Sequence, residues 1–242
     1  MRVAANKKLR KGVILFHGSP TAWDIPKGTF RGPGWFSTKL KAGIWYAGPL
    51  MGGAEDEREI TDAMRPGVLV YEVVRPVPLY RIREPEDVQS TLYVLLVLRT
   101  KLLTSDEWSM VTSVGWNMDW SSSKWDSDEI RKHWGSDLAD PLTEKMDRLG
   151  IHSVVGAIRA IHKKDPSFQG WVLDHEDGWE VMLCEPSKVL KQTDIWEVIE
   201  DNSPYDSDKS EENAGWRALT PRHRERPSPA RVASRWLFRT GP

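Results

Sequence analysis

Three groups of residues in this sequence have side chains that could do chemistry. The first is 17-HGS-19, in which an imidazole, a glycine and a hydroxyl follow a short apolar run. The second is a block of aromatic and hydroxyl residues soon after it: Trp35, Phe36, Ser37, Thr38 and Tyr46. The third is Glu180, a carboxylate in a late apolar stretch. Aromatic faces beside polar groups at the end of a strand suit the binding of a planar ring.

Strands and one short helix are predicted to position these residues. Residues 13–16 are continuously apolar and a Gly and a Pro follow at once, which predicts a buried strand that ends at His17. Residues 37–47 begin with two hydroxyl side chains and continue with apolar spacing, which predicts a capped helix carrying Tyr46. Strand-like residues 169–174 and 179–186 flank an Asp-Gly pair, which is typical of a β-hairpin. Glu180 would open its second strand.

The rest of the ordered chain is predicted to be one interrupted strand and a helical region. Residues 67–82 form the strand, and Pro76 and Pro78 would place its second half at an edge or a bulge. Apolar residues at helical spacing predict a helix over 86–103. Thr104 and Glu107 then have the spacing of a capping box for the next helix. Further helices are predicted over 126–134 and 140–149, while 151–164 is ambiguous, with spacing that permits a helix at 153–163.

Composition excludes several classes of protein. With 39% hydrophobic and 29% charged residues in a chain of 242, it is typical of soluble globular proteins. No apolar run is long enough to span a membrane or to form a secretory signal. Cys184 is the single cysteine, so an intrachain disulfide and a thiol zinc cluster are impossible, and a reducing, cytoplasmic setting is expected. The histidines do not cluster at ligand spacing, and we expect no metal.

The two ends of the chain are strongly charged. Residues 1–11 are predicted to be a loose basic arm, and residues 201–242 an acidic and then arginine-rich tail. Charged blocks of this kind are usually solvated tails, while a basic arm can also bind a polyanionic partner.

Taken in chain order, the three groups resemble the ADP-ribosyltransferase superfamily, in the branch with a His-Tyr-Glu triad that includes the diphtheria toxin and poly(ADP-ribose) polymerase groups. The motifs that carry the resemblance are 17-HGS-19, 34-GWFSTKLKAGIWYA-47 and 180-EVMLCEPSKVL-190. It covers residues 12–192. It implies an α+β fold with a split β-sheet core in a catalytic domain over 12–200, interrupted by a helical insertion at about 84–165.

The resemblance implies a mono-ADP-ribosyltransferase that moves ADP-ribose from NAD to a macromolecular acceptor, protein or nucleic acid, and releases nicotinamide. NAD would be a substrate, no metal or membrane would be needed, and the protein would act as a toxin-like effector inside a cell. Glu180 would stabilise the positive charge that develops on the ribose, and His17 would bind the adenosine-side ribose. The other residues implied to bind NAD are Gly18, Ser19, Trp35, Phe36, Ser37, Thr38 and Tyr46.

One residue departs from the family pattern and leaves alternatives open. Phe36 stands where the triad tyrosine is expected, so a catalytically degenerate binding module is the main alternative. An RNA 2'-phosphotransferase relative would also consume NAD, but its phosphate-contacting Arg and His residues have no counterparts that we can identify. The arginine-modifying branch of the superfamily is disfavoured, because His17 replaces its first-strand Arg and Gly178 replaces its acidic or amide residue.

Overall fold

The structure, a computed structural model, describes residues 7–19, 21–24, 30, 32–47, 66–83, 87–113, 127–175, 178–200 and 216–219. It divides the chain into two compact units. Unit 1 comprises Met1–Val13, Gly28–Thr38 and Val73–Lys191, and unit 2 comprises Ile14–Lys27, Lys39–Glu72 and Gln192–Pro242. The described chain mixes helices with strands that pair mostly antiparallel, which agrees with the predicted mixture of α and β structure.

The described strands are short. In chain order they are β1 (Lys7–Leu9), β2 (Ile14–Ser19), β3 (Gly34–Ser37), β4 (Gly67–Val73), β5 (Val77–Ile82), β6 (Gly170–His175), β7 (Gly178–Leu183), β8 (Leu190–Glu200) and β9 (Trp216–Leu219). The described α-helices are α1 (Leu40–Ala47), α2 (Asp87–Tyr93), α3 (Ser105–Ser113), α4 (Ser127–Trp134), α5 (Ser136–Leu149), α6 (Val154–Lys164) and α7 (Pro186–Val189). A π-helical segment, Val94–Arg99, continues α2, and a 3-10 turn spans Ala22–Asp24.

Unit 1 contains a sheet with strand order β1-β5-β6-β7-β3. The β5–β6 pair is parallel, and the other neighbours are antiparallel. β6 and β7 form the predicted hairpin, which pairs Gly170 with Leu183 at one end and His175 with Gly178 at the other. This confirms that the Asp-Gly signal marks a reversal of the chain.

Helices α2 to α6 fall between residues 87 and 164, and their apolar faces share one core with the sheet of unit 1. Fully buried side chains from both layers meet there, among them Leu95, Met146, Ile158, Trp171 and Met182. The core explains why the helices form, since short helices are stabilised mainly by packing an apolar face.

The predicted capping box is present at the start of α3. The Thr104 hydroxyl accepts a hydrogen bond from the Glu107 backbone N–H at 3.1 Å. In return, Glu107 Oε2 accepts one from the Thr104 N–H at 2.7 Å. Both hydrogen bonds of the capping box are therefore formed, as the spacing of Thr104 and Glu107 predicted.

Several boundaries differ from the prediction. α5 begins at Ser136 rather than at the predicted residue 140, and it therefore contains Pro141 within the helix. The helix predicted over 86–103 is described from Asp87 as α2, continues as the π-helical segment and ends near Thr100, whose hydroxyl donates to the Leu95 carbonyl at 2.7 Å. The ambiguous stretch 151–164 contains α6, capped by the Ser153 side chain, which accepts from the Gly156 N–H at 3.2 Å.

The edge position predicted for the second half of 67–82 is wrong. β5 lies between β1 and β6 in the sheet order. Pro78 is tolerated there because the ladder with β6 involves only Tyr80, Arg81 and Ile82, which all come after the proline. No backbone N–H is required from Pro78 on that side.

The two charged ends are partly built into the fold. Lys7–Leu9, within the predicted basic arm, form β1 and pair with Leu79, Pro78 and Val77 of β5. Trp216–Leu219, within the predicted tail, form β9 and pair with β8. Residues 1–6 of the arm and residues 201–215 and 220–242 of the tail lie outside the described part of the chain.

Unit 2 contains strands β2, β4, β8 and β9 in that order. β2 pairs antiparallel with β4, with His17 opposite Leu69 and Gly18 opposite Val68. α1 packs on β2, and the small core of the unit contains Ala47, Val68, Val198 and Ala218.

Candidate functional site

In unit 1, the candidate carboxylate lies directly opposite a candidate hydroxyl. Glu180 is the third residue of β7, and its Cα partner in β3 is Ser37. Because opposite residues of an antiparallel pair point to the same face of the sheet, the two side chains share a face. Ser37 is buried, with 4% of its surface exposed, and Glu180 is half-buried. A buried hydroxyl and a partly accessible carboxylate on one face can together form hydrogen bonds with a polar ligand.

The backbone beside Glu180 is held by Thr38. The Trp179 N–H donates to the Thr38 hydroxyl at 3.0 Å, and the Thr38 N–H donates to the Trp179 carbonyl at 3.0 Å. These two bonds extend the β3–β7 ladder by one residue on each strand. They fix the peptide that precedes Glu180, and the sequence interpretation, which assigned Thr38 to NAD, did not foresee them.

The two aromatic residues of β3 lie on opposite faces of the sheet. Trp35 is opposite Met182 in β7, on the face of Glu180, and its ring lies 5.9 Å from that of Trp171. Phe36 is opposite Val181 and therefore faces the other way. It is buried, with 3% of its surface exposed, and its ring lies 5.3 Å from that of Phe30. The register thus puts Trp35, and not Phe36, on the carboxylate face.

In unit 2, the glycine of the His-Gly-Ser motif has a packing role. A Cβ atom on Gly18 would lie 1.9 Å from the Gly43 carbonyl oxygen and 2.6 Å from the Ala47 nitrogen. The backbone of α1 therefore rests on Gly18 and brings Tyr46, a half-buried residue, alongside it. His17 is the neighbouring strand residue, so its half-buried side chain points to the face away from α1.

Ser19 takes part in a local turn. Its hydroxyl accepts a hydrogen bond from the Thr21 backbone N–H at 3.2 Å and lies 3.4 Å from the Thr21 hydroxyl. Only 9% of Ser19 is exposed. Its oxygen thus helps the chain leave β2, which is a common use of serine after a strand.

The candidate residues therefore form two local groups. Unit 1 brings together Trp35, Ser37, Thr38 and Glu180, and leaves Phe36 on the opposite face. Unit 2 brings Gly18 against the helix of Tyr46 and turns His17 to the other face of its strand. The sequence predicted β2, β7 and the helix of Tyr46, but its placement of Ser37 and Thr38 at the start of that helix is wrong, since Ser37 ends β3 and α1 begins at Leu40. The face of each side chain depended on register.

A charged group that sequence reasoning missed lies just after β7. Glu185 Oε1 accepts from Lys188 Nζ at 2.6 Å, and Glu185 Oε2 lies 3.2 Å from His162 Nε2. His162 Nδ1 also lies 2.6 Å from the Phe168 carbonyl oxygen. The hydrogen bond from Lys188, opposed by burial and aided by His162, lowers the pKa of Glu185. No spacing in the sequence signals this cluster, because His162 lies on α6 and Glu185 follows β7.

In the described part of the chain, the structure shows neither a reactive thiol nor a group of side chains placed to hold a metal ion. Cys184 is buried, and burial, together with the nearby Glu185 charge, raises the pKa of its thiol to about 12, so it is a poor nucleophile. Among the described residues, no group of three or more His, Cys, Asp and Glu side chains is placed to hold a metal ion. None of the described helices has the length and apolar character needed to cross a membrane.

Comparison with protein-family models, curated proteins and solved structures gave no match for this chain.

Proposed function

We propose that this protein is a mono-ADP-ribosyltransferase that transfers ADP-ribose from NAD to a macromolecular acceptor. The C–N bond between ribose and nicotinamide breaks, nicotinamide leaves as a neutral ring, and an acceptor nucleophile bonds to the same ribose carbon. Positive charge develops on the ribose during this substitution. A carboxylate beside the ribose stabilises that charge, and it can also take the acceptor proton.

The observation that supports the proposal best is the pairing of Ser37 with Glu180. Two residues 143 positions apart in the sequence, each chosen from a separate motif, are Cα partners in neighbouring strands. We assign Glu180 to the ribose charge and the Ser37 hydroxyl to the bound nicotinamide half. Trp35 lies on the same face, and we assign its ring to the nicotinamide contact previously expected of Phe36.

His17, in unit 2, is assigned to the adenosine-side ribose of NAD by resemblance to the family. Its half-buried side chain is consistent with partial access to a ligand. Because the Gly18 Cα faces α1, a side chain at this position is excluded whether or not NAD binds.

Two observations favour the degenerate binding module as a second candidate. Gly18 and Ser19 each have a structural role in unit 2, one under α1 and the other in the turn to Thr21. Both residues can therefore be explained without NAD. A module of this kind would bind NAD or a partner and would release no nicotinamide.

Nicotinamide release separates the two candidates. The purified protein is incubated with NAD and a cell lysate as acceptor source, and free nicotinamide is measured over time. We expect Glu180→Gln to lower the rate by about 10²–10³-fold, because one preorganised electrostatic group is removed from the transition state. NAD binding, measured by calorimetry, should change much less.

Glu72→Gln is the matched control, since Glu72 is also a half-buried strand carboxylate, located in β4 opposite Ile14. It should release nicotinamide at the wild-type rate. Equal rates in wild type, Glu180→Gln and a no-protein blank would reject the enzyme and leave the binding module. Labelled NAD in the same lysate would identify the acceptor by its sensitivity to protease or nuclease.

A further inference from the structure

One edge of the sheet in unit 1 is strongly basic. Lys7–Leu9 pair antiparallel with Val77–Leu79. The chain then turns at residues 10–13, where the Val13 N–H donates to the Arg10 carbonyl at 3.4 Å, and the Gly12 N–H donates to the Val73 carbonyl at 2.8 Å, so that residues 7–13 lie beside residues 73–79. The basic residues of these segments and of the end of β5 are Lys7, Lys8, Arg10, Lys11, Arg75, Arg81 and Arg83. All are exposed except Lys7, which is half-buried, and residues 7–13 and 74–83 include no acidic residue.

One of these cations contacts an aromatic ring in β7. Trp179 is 37% exposed, which is high for a tryptophan, and Lys7 Nζ lies 3.4 Å from the centroid of its ring. Lys7 thus connects the basic edge to the indole through a cation–π contact. We call Trp179 together with the seven basic residues the basic edge.

Acidic residues near the basic edge are few. Glu180 follows Trp179 directly, but its side chain points to the opposite face of β7, and Glu72 precedes Val73 in β4. Asp174 is opposite Trp179 in the hairpin and forms an ion pair with Arg81. Asp87, in the first turn of α2, is the next described acidic residue after β5, and the sequence places Glu84 and Glu86 just before it. Lys8 of β1 and the two cations of the following turn, Arg10 and Lys11, have no acidic residue within residues 7–13 or 74–83.

Lysines on an edge strand often serve only to prevent pairing with another sheet. That role accounts for β1, where Lys8 is exposed at the edge, but it does not account for the exposed indole or for Arg75 and Arg83 outside the strand ends. Cations beside an exposed aromatic ring are the combination that binds single-stranded nucleic acid, since phosphates pair with the cations and an unstacked base lies on the ring.

We propose that the basic edge binds single-stranded nucleic acid. Lys8, Arg10 and Lys11 contact phosphates, and Trp179 stacks on one base whose phosphate is close to Lys7. The binding needs no NAD and thus goes beyond the proposed reaction, and either proposal can fail alone. If both hold, a nucleic acid is the class of acceptor brought to the protein.

Fluorescence anisotropy of the full chain with a labelled single-stranded oligonucleotide tests the proposal. The combined substitution Lys8→Gln, Arg10→Gln and Lys11→Gln should weaken binding and reduce the slope of log K against log salt concentration by about 2, since each phosphate contact on a single strand contributes about 0.7. Trp179→Leu should weaken binding roughly ten-fold and leave the salt slope unchanged, because stacking releases no counterions.

The matched control is the combined substitution Lys132→Gln, Lys163→Gln and Lys164→Gln, which removes the same charge from exposed positions on α4 and α6. It should bind as the wild type does, and thermal melting checks that every variant is folded. An equal loss in this control would overturn the proposal, because binding would then follow net charge alone. Competition by polyglutamate as effective as by unlabelled oligonucleotide, with no effect of Trp179→Leu, would overturn it in favour of an acidic protein partner.

Discussion

Packing against α1 alone requires a glycine at position 18, whether or not a ligand binds there. The backbone of α1 approaches so closely that a Cβ atom would overlap the Gly43 carbonyl oxygen at 1.9 Å. To relieve the overlap, the backbone of β2 or of α1 would have to move, and that movement would break hydrogen bonds within the sheet or the helix. A motif that the sequence presents as a ligand contact is thus also a point of helix packing.

Gly18→Ala should lower the free energy of unfolding by about 1–3 kcal/mol or more, because the added methyl group overpacks a rigid contact. Urea unfolding followed by circular dichroism measures it. Ile14→Ala in the same strand is the control, since Ile14 is 40% exposed and its loss should cost much less. Unchanged stability of Gly18→Ala would contradict the packing role, and lost NAD cleavage at full stability would assign the glycine to the ligand alone.

At the scale of elements, Thr38 connects two strands at the residue before the candidate carboxylate. Its hydroxyl receives the Trp179 N–H, and its own N–H reaches the Trp179 carbonyl. The side-chain bond is the one that mutation can remove. It gives Thr38 a positioning role that does not need direct contact with NAD.

Thr38→Val should reduce the rate of nicotinamide release more than it weakens NAD binding, because Glu180 loses a fixed neighbour while the ligand contacts remain. Thr38→Ser keeps the hydroxyl and should restore most of the rate. The test compares kcat and KM of both variants. A valine variant with a normal kcat and a raised KM would instead indicate a direct contact of Thr38 with NAD.

The start of α3 is stabilised by charge as well as by capping. Burial of Glu107 raises its pKa, but the hydrogen bonds from Lys145 and from the Thr104 backbone outweigh burial, and the net pKa lies below its usual value of 4.5. Lys145 Nζ lies 2.6 Å from Glu107 Oε2. Folding therefore favours the ionised form of Glu107 over its protonated form.

A group with a lowered folded pKa contributes stability above its unfolded pKa and loses it as the pH falls through the folded value. The stability difference between wild type and Glu107→Gln should therefore shrink as the pH falls below about 4.5. Urea unfolding at a series of pH values measures it. Thr104→Ala, which removes the cap, should cost about 1 kcal/mol at neutral pH. A difference between wild type and Glu107→Gln that stays constant with pH would contradict the charged role of Glu107.

At the scale of the whole molecule, the fold extends further along the chain than composition indicates. β9 pairs Trp216 with Glu200 and Leu219 with Glu197, and Ala218 is 4% exposed in the core of unit 2. The domain predicted from the sequence, which ends at residue 200, would lose this strand. Composition does not indicate β9, because residues 201–213 are strongly acidic and the strand itself has only four residues.

A chain that ends at residue 200 should be less stable than the full chain, since Val198 and Ala47 lose the cover of Ala218 and β8 gains an unpaired edge. A chain that ends at residue 220 keeps β9 and should match the full chain. Denaturant midpoints of the three chains provide the comparison. Equal midpoints for the chains ending at 200 and 220 would show that β9 adds nothing to unit 2.

The parts of the fold that sequence predicted are those set by close neighbours. The Thr104–Glu107 box spans three residues, and the β6–β7 hairpin depends on one turn, so local chemistry was sufficient. β1 escaped prediction because Lys7–Leu9 carry two lysines and become a strand only through pairing with β5. The π-helical segment Val94–Arg99 also escaped, since its apolar residues have no period that distinguishes it from an α-helix.

The candidate site, like the fold, was predictable from the sequence only in part. The sequence alone determined which residue types were present: a histidine at the end of a strand, an aromatic and hydroxyl block, and a glutamate in a hairpin. Only the tertiary structure decided that Ser37 pairs with Glu180, that Phe36 faces away from it and Trp35 toward it, and that Gly18 lies under α1. The reason is that strand register joins residues far apart in the chain, and a shift of one residue sends every side chain to the opposite face.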